Sequence, residues 1–212
     1  MKPVEFIRIG ASVSLPTMYN LEDEYFLRMS SIYDPDQITR YPTTENGNPL
    51  DVLISEYKVI SPLKSNGSIG FQFGKVGLLS ADIEYINYAS MRLRDGSEGY
   101  DFYAENSEIT DAFRDVFNLR TGGELRFGPL ALRGGFAYFP SPYKDGELNE
   151  DYKHMEISGG IGVRQSNFFI DIGTVYQMHE EKFNLYNDPD GSNIADIDQN
   201  KLRFVSTIGF RF

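Results

Sequence analysis

Hydrophobic and polar residues alternate strictly over the last twelve positions of the chain, Lys201–Phe212. One side of this segment carries Leu202, Phe204, Ser206, Ile208, Phe210 and Phe212. Such alternation is typical of a β-strand with one apolar and one polar face. The terminal residues of soluble proteins usually fray, whereas a strand of a transmembrane barrel presents its apolar face to lipid and its polar face to the lumen. We therefore predict an all-β, antiparallel, up-and-down transmembrane β-barrel.

The same alternation predicts about eight strands in this chain. They are Phe6–Leu15, Ser55–Phe73, Leu78–Leu93, Asn118–Phe127, Leu130–Phe139, His154–Arg164, Phe168–His179 and Lys201–Phe212. Within the second strand, the pair Asn66-Gly67 favours a hairpin. A single strand bent at Pro62 instead preserves a regular alternation of long and short connections, as outer-membrane barrels have. We predict the bent strand, with both chain ends on the periplasmic side.

Two helical segments are predicted in the long connections. Tyr19–Ile32 has Asn20 as a possible N-cap and acidic residues in its first turn. Ser107–Phe117 has a capped helical pattern with apolar residues on one side. The long connection 180–200 is predicted to be an acidic loop.

Length and composition fit one domain spanning residues 1–212. With no cysteine, the chain offers no disulfide and no thiolate metal site. No segment approaches the roughly 20 apolar residues of a membrane helix, which excludes a helical membrane protein. Met1–Glu5 lacks the pattern of a signal peptide, so an exported chain would be a processed form or a C-terminal fragment.

The charge of the chain is distributed unevenly. Its net value is −11, which argues against nucleic acid as a partner. The four long connections, 16–54, 94–117, 140–153 and 180–200, contain 24 acidic and 7 basic residues; the remainder, from totals of 31 and 20, contains 7 and 13. The negative excess therefore lies wholly in the predicted outer loops, which would face lipopolysaccharide and outer-membrane lipid.

Seven charged residues of alternating sign are predicted to face the lumen: Arg120, Glu124, Arg126, Arg133, Glu156, Asp171 and Arg203. They could form a polar path, or a cationic site where arginine binds a fatty-acid carboxylate. They could also form a salt-bridged interior that only stabilises the wall. We favour the salt-bridged interior, because a polar lumen is the usual state of such barrels.

Other candidate sites are weak. The acidic run Asp188–Asn193, with Asp196 and Asp198, has oxygen ligands but not the spacing of an EF-hand, so a solvated loop is favoured over a Ca²⁺ site. His154 and His179 are interpreted as rim residues. No catalytic motif or cofactor-binding motif is found, and we predict a protein that is not an enzyme and needs no cofactor. Aromatic residues are expected near the two membrane interfaces: Phe127, Phe168, Phe210 and Phe212 on one side, and Tyr138, Tyr176 and Phe204 on the other.

Several stretches resemble the C-terminal part of the FadL/TodX-type outer-membrane transporters. They are Ile7-Arg8-Ile9-Gly10-Ala11 with Leu15–Tyr19, Ser61–Lys64 with Phe71–Lys75 and Leu78–Tyr85, and Asn118–Arg126 with Phe136–Tyr138 and Ser141–Tyr143. The resemblance implies a fourteen-stranded barrel with an N-terminal plug, of which this chain supplies the last eight strands. It also implies transport of hydrophobic small molecules such as long-chain fatty acids. No substrate-contacting residue is carried over.

The ending of the chain, with Phe210 and Phe212, resembles the terminal aromatic signal that the barrel-assembly machinery reads. Two alternatives stay open: a small structural or adhesive outer-membrane barrel, and a soluble β-barrel that binds a lipid inside. The five residues Ile157, Ile161, Ile170, Ile172 and Ile208 separate the membrane interpretation from the soluble one. They should be exposed in a membrane barrel and packed together in a soluble protein.

Overall fold

Antiparallel β-strands dominate the chain. The computed structural model describes residues 6–25, 29–34, 37–41, 53–96, 99–186 and 193–210. The strands are β1 (Ile7–Ser14), β2 (Met18–Tyr25), β3 (Met29–Asp34), β4 (Gln37–Tyr41), β5 (Leu53–Ile60), β6 (Lys64–Phe73), β7 (Gly77–Asn87), β8 (Arg92–Asp95), β9 (Asp115–Phe127), β10 (Leu130–Pro140), β11 (Lys153–Arg164), β12 (Phe168–Asn184) and β13 (Ile194–Phe210). One α-helix, α1 (Tyr103–Ala112), and a 3₁₀ turn, Tyr88–Ser90, complete these elements. No helix among the described residues is long and apolar enough to cross a membrane.

The main sheet has eight strands in the order β1-β6-β7-β9-β10-β11-β12-β13. Every neighbouring pair is antiparallel. Short turns join β6 to β7, β9 to β10 and β11 to β12 at one end of the sheet, and the longer connections lie at the other end. Gly74 and Gly128 adopt positive φ in two of these turns, a conformation that glycine adopts without steric cost. The predicted all-β, up-and-down fold is confirmed.

A second sheet continues the first three strands of the main sheet beyond a common break. Its order is β2-β5-β8. This order matches β1-β6-β7 in the main sheet, because along the chain β2 follows β1, β5 precedes β6 and β8 follows β7. Pro16 interrupts the first of these runs, Pro62 the second and the 3₁₀ turn the third. Because proline has no N–H to donate to a ladder, the pairing stops there. A hydrogen bond from the Ser61 amide to the Thr17 carbonyl (2.9 Å) joins two runs across the break.

The break decides the ambiguous segment 55–73. Asn66 and Gly67 do not form a hairpin, because both lie inside β6, where they pair with β7 on one side and β1 on the other. The chain is interrupted at Pro62, as predicted, but its two halves belong to different sheets. Leu78–Leu93 is likewise not one strand, since the 3₁₀ turn divides it into β7 and β8.

Three expectations for the long connections are wrong. Of the predicted helix Tyr19–Ile32, residues 19–25 lie in β2 and pair with β5, and residues 29–32 lie in β3; cross-strand pairing overrides the local capping signal. The second predicted helix begins earlier, at Tyr103, and ends at Ala112, while Phe117 lies in β9. The acidic segment 180–200 is largely strand, because β12 and β13 stay paired out to Asn184 and Ile194.

The two faces of the main sheet differ in polarity and exposure. We call the face that carries Arg133 and Asp171 the polar face and the opposite one the apolar face. The buried apolar side chains among the described residues are Ile86, Val116, Ala131 and Ala137, and the register places all four on the polar face. The apolar face is the exposed one: Ile157, Ile161, Ile170, Ile172 and Ile208 are 51%, 51%, 37%, 53% and 64% exposed.

This distribution is the reverse of that in a soluble β-protein, which buries its apolar face. Contiguous exposed apolar surface of this kind marks contact with protein or membrane. On β12 the apolar-face residues run from Phe168 to Met178, a span of ten residue steps. At about 3.3 Å per residue and a strand tilt of ~40°, that span is about 25 Å deep, the height of the apolar band of a transmembrane barrel.

The aromatic residues at the two ends of the apolar face follow the expected tilt of the strands. They are Tyr138, Tyr176 and Phe204 at one end, and Phe127, Phe168 and Phe210 at the other; Phe212 lies outside the described residues. The residue of β12 in register with Tyr138 is Met178, and Tyr176 lies two residues closer to the middle of the sheet. On β13, the partner of Tyr176 is Leu202, and Phe204 again lies two residues closer to the middle. At the other end, the residue of β12 in register with Phe127 is Ile170. Phe168 and its partner Phe210 lie two residues further from the middle of the sheet. Both lines shift in the same direction, as they would for tilted strands meeting two flat interfaces.

Candidate functional site

All seven residues predicted to face the lumen lie on the polar face. Arg120, Glu124 and Arg126 lie at even-numbered positions of β9 and so share one face of the strand. The others are one residue each from the next four strands: Arg133 of β10, Glu156 of β11, Asp171 of β12 and Arg203 of β13. The register puts them on a common side because every pairing is antiparallel and unshifted along these strands.

One ionic cluster, which we call the lower cluster, joins Arg126, Glu124, Arg133 and Asp171. Glu124 accepts hydrogen bonds from the guanidinium groups of Arg126 and Arg133, and its side chain is 9% exposed. Arg133 also donates to Asp171, which lies two strands away. The lower cluster therefore ties β9, β10 and β12 together with two positive and two negative charges.

The Arg133–Asp171 pair crosses β11 directly above Gly162. A Cβ atom built at Gly162 would overlap the Asp171 carboxylate and lie 3.1 Å from Arg133 Nη1. Glycine is required here because the ion pair occupies the space that any side chain would fill.

A second ionic cluster, the upper cluster, surrounds Arg120. Its guanidinium lies 3.0 Å from Glu84 Oε1 and 3.4 Å from Asp82 Oδ1, both on β7. The amide of Asn118 donates to Glu84 at 3.0 Å, and the amide of Asn66 donates to Asp82 at 2.6 Å. Arg120 also lies over the Phe139 ring, 5.3 Å from its centroid.

Four members of the upper cluster were not predicted from the sequence: Asn66, Asp82, Glu84 and Asn118. Asp82 and Glu84 alternate with the apolar residues Ala81, Ile83 and Tyr85 of β7. That alternation was a sufficient signal to place both carboxylates on the polar face. Their pairing with Arg120 was not readable from the sequence, because it depends on the register between β7 and β9.

Glu156 and Arg203 lie apart from both clusters. Glu156 accepts hydrogen bonds from Gln177 and from His154 Nε2, the latter at 3.2 Å. Arg203, on β13, lies directly opposite Val175 of β12. Within the described part of the chain, Arg203 is the one arginine of the predicted set without a carboxylate inside ion-pair distance.

The two histidines form a cross-strand pair near the end of the sheet where the long connections lie. His154 of β11 is directly opposite His179 of β12, and their ring centroids are 5.7 Å apart. Each has a carboxylate two residues along its strand, Glu156 for one and Glu181 for the other, at 3.2 Å. No cluster of three or more histidine or acidic side chains placed to hold a metal is found among the described residues. Of the Ca²⁺ candidate Asp188–Asn193 with Asp196 and Asp198, residues 188–192 lie outside the described residues, and Asp196 and Asp198 lie in β13.

Between the two clusters runs a row of small, uncharged residues on the polar face. In order across the sheet they are Gly70, Ser80, Gly122, Gly135, Ser158 and Val175. The row deepens at β11–β13 into a niche of about 280 Å³. Ser158 and Val175 line it on one side, and the Arg133–Asp171 pair closes its opposite end.

These features define a class of protein by fold: an antiparallel wall of the outer-membrane barrel type, with an exposed apolar face and a polar face that carries two ion-paired clusters. Solved structures with this fold include the toluene transporters TodX of P. putida and TbuX of Ralstonia pickettii. TodX matches at TM-score 0.53 and 12% identity over 100% of this chain and 47% of its own. TbuX matches at TM-score 0.50 and 16% identity over 99% of this chain and 45% of its own.

The structural likeness confirms, at the level of the fold, the resemblance to FadL/TodX-type transporters that the sequence motifs indicated. The chain spans about half the length of these two structures. No protein-family model matches the sequence, and no curated protein matches it.

Proposed function

We propose that the chain forms part of the wall of an outer-membrane β-barrel that takes up hydrophobic compounds in a Gram-negative-type bacterium. The observation that carries this proposal is the opposition of the two faces. Large apolar residues are exposed on one side, while the other side carries charged residues, including two ion-paired clusters. In a membrane, the first face would contact lipid and the second would line the lumen.

The substrate class has two candidates. The sequence resemblance suggests long-chain fatty acids, and the structural neighbours are toluene transporters. A fatty-acid anion needs a cation with free hydrogen-bonding capacity. Arg120, Arg126 and Arg133 are already paired with carboxylates, whereas Arg203 is paired with none among the described residues. Around the three paired arginines, a neutral compound is favoured over an anion.

Further parts of the proposal concern partners. The apolar face would contact outer-membrane lipid, and the acidic outer connections would face lipopolysaccharide. Phe210, 68% exposed on the apolar face, would serve with Phe212 as the signal for the barrel-assembly machinery. We propose no chemical reaction for this chain.

Uptake of radiolabelled toluene and oleate by cells carrying the full-length gene tests the proposal. Cells of a strain without its own transporter should accumulate one or both compounds faster than cells with an empty vector. Uptake would be contradicted if cells with the gene and cells with the empty vector accumulated each compound at the same rate, provided that fractionation finds the protein in the outer membrane. Such a result would favour the structural or adhesive alternative.

A further inference from the structure

The niche on the polar face has the shape of a binding site. Its floor is made by Gly160 and Gly173, which lie directly opposite each other on β11 and β12. Val175 and Val205 line its sides. Because the floor residues have no side chains, the niche is a recess in a face whose neighbouring rows carry long charged residues.

The two charged residues that line the niche, Arg133 and Asp171, form an ion pair with each other. Arg203, across from Val175, is not among the lining residues. Arg133, at the end of the niche, is bound to Asp171 and to Glu124. Gly162 fixes this arrangement, since it leaves the space in which Arg133 meets Asp171. A carboxylate that binds Arg133 would have to displace one of these partners, and a buried or half-buried ion pair is costly to break on one side only.

The niche has room for a small molecule. A cavity of about 150 Å³ is sufficient for benzene in another protein, so the niche, at about 280 Å³, can hold a substituted single ring. Valine side chains and glycine backbone supply apolar contacts, and the hydroxyl groups of Ser158 and Thr207 border the recess.

We infer that this niche is a resting site for a neutral hydrophobic molecule of about one aromatic ring, on the lumen side of the wall. The inference rests on the proposed uptake of hydrophobic compounds and specifies where on this chain such a compound binds. It also predicts that Arg133 and Asp171 line the end of the niche but form no ion pair with the compound.

Cysteine accessibility tests the site without measuring transport. The chain has no cysteine, so Val175→Cys places a single thiol in the niche of the otherwise unchanged protein. Ser80→Cys is the matched control, because Ser80 lies in the same row of the polar face but outside the niche. Both variants are purified in detergent, checked for folding by heat-dependent gel migration, and labelled with a small water-soluble thiol reagent.

Toluene should slow labelling of Val175→Cys and leave Ser80→Cys unchanged. At ten times its half-maximal concentration, one occupied site should reduce the labelling rate about tenfold. Decanoate at matched concentration should protect neither position. The second niche variant, Val205→Cys, repeats the measurement from β13 if the first variant folds poorly.

Three results would overturn the assignment. A thiol at Val175 and at Val205 that the reagent never reaches would show that the niche is closed. Equal protection of the niche and Ser80 positions would show general partitioning of toluene into the micelle. Stronger protection by decanoate, abolished by Arg203→Gln, would show an anion site instead. Protection without uptake in cells would leave the niche assignment intact and count against the proposed function alone.

Discussion

At the scale of single residues, the polar face is stabilised by ion pairs whose geometry depends on a residue without a side chain. Arg133 reaches Asp171 across an intervening strand only because position 162 is glycine. Glu124, with its side chain 9% exposed, is compensated by two arginines. A half-buried network of this kind is worth more than isolated surface pairs, because solvent screens it less.

Gly162→Ala should destabilise the protein, because the new methyl group overlaps the Asp171 carboxylate. Loss of a charged hydrogen bond at a partly exposed site should lower the free energy of unfolding by about 1–2 kcal/mol. Urea-dependent unfolding in detergent or lipid measures it. Gly159→Ala is the control, since a Cβ there meets no atom within 4 Å. Equal losses in the two variants would contradict the role of the crossing ion pair.

Tyr100, in the connection before α1, should titrate above its ordinary range. Its hydroxyl donates to Glu105 at 2.8 Å, and this hydrogen bond raises the pKa of Tyr100 from 10.0. The stabilisation is present at neutral pH and is lost as the pH rises through the raised pKa, because the tyrosinate no longer donates. Spectrophotometric titration of wild type against Tyr100→Phe isolates this group. Glu105→Gln should return its pKa toward the ordinary value; an unchanged titration curve would contradict the contact.

At the scale of the element, each strand of the main sheet presents one face to each of two environments. On β11, Ile157 and Ile161 point to the apolar face, while Glu156 and Ser158 point to the polar face. The strands of the second sheet depend on other devices. The Asn106 amide pairs with both backbone groups of Leu93 (2.8 and 2.9 Å) and so covers the edge of β8 as another strand would.

Ile161→Arg should impair folding into lipid, because Ile161 is 51% exposed near the middle of the apolar face. A charge near the bilayer midplane costs roughly 2–4 kcal/mol. Ser158→Arg, three residues earlier on the polar face, should cost much less. Folding yields in liposomes, read from protease protection, compare the two variants. Equal yields would contradict the assignment of the faces.

Asn106→Ala should expose the edge of β8. Two hydrogen bonds to Leu93 are lost, and each contributes about 0.5–1.5 kcal/mol. A loss of about 1.4 kcal/mol corresponds to roughly tenfold faster amide exchange, which hydrogen–deuterium exchange of peptides covering β8 would detect. Glu108→Ala on the exposed side of α1 is the control and should leave β8 protection unchanged. Unaltered exchange in Asn106→Ala would show that the amide does not protect this edge.

At the scale of the whole molecule, the main sheet is open among the described residues. β1 pairs only with β6, and β13 pairs only with β12. The apolar face and these two edges are exposed together, a combination that promotes aggregation in water.

The full chain should therefore require detergent or lipid to stay dispersed. After detergent removal we expect it to sediment in the ultracentrifuge, and to remain in solution when detergent or liposomes are kept. The apolar surface, rather than net charge, should govern this behaviour, since the chain carries −11. A monodisperse, monomeric chain in plain buffer would contradict the membrane assignment and favour a soluble barrel.

Alternation in the sequence was sufficient to predict most of the wall. It indicated the eight strands of the main sheet, the apolar and polar faces and the seven charged residues of the polar face. It was insufficient in the long connections. Asn20 and the acidic residues after it resemble a helix start, yet Met18–Tyr25 is a strand because β5 lies beside it. Local propensity is a weak signal where a neighbouring strand supplies the hydrogen bonds.

The sequence alone determined which side chains share a face, because that depends only on the two-residue repeat of an extended chain. The tertiary structure decided which of them meet. Arg120 finds Asp82 and Glu84 through the pairing of β7 with β9, and Arg133 finds Asp171 above Gly162. These contacts join residues up to 38 positions apart. They depend on strand register, which is set by all the strands pairing together rather than by any one segment.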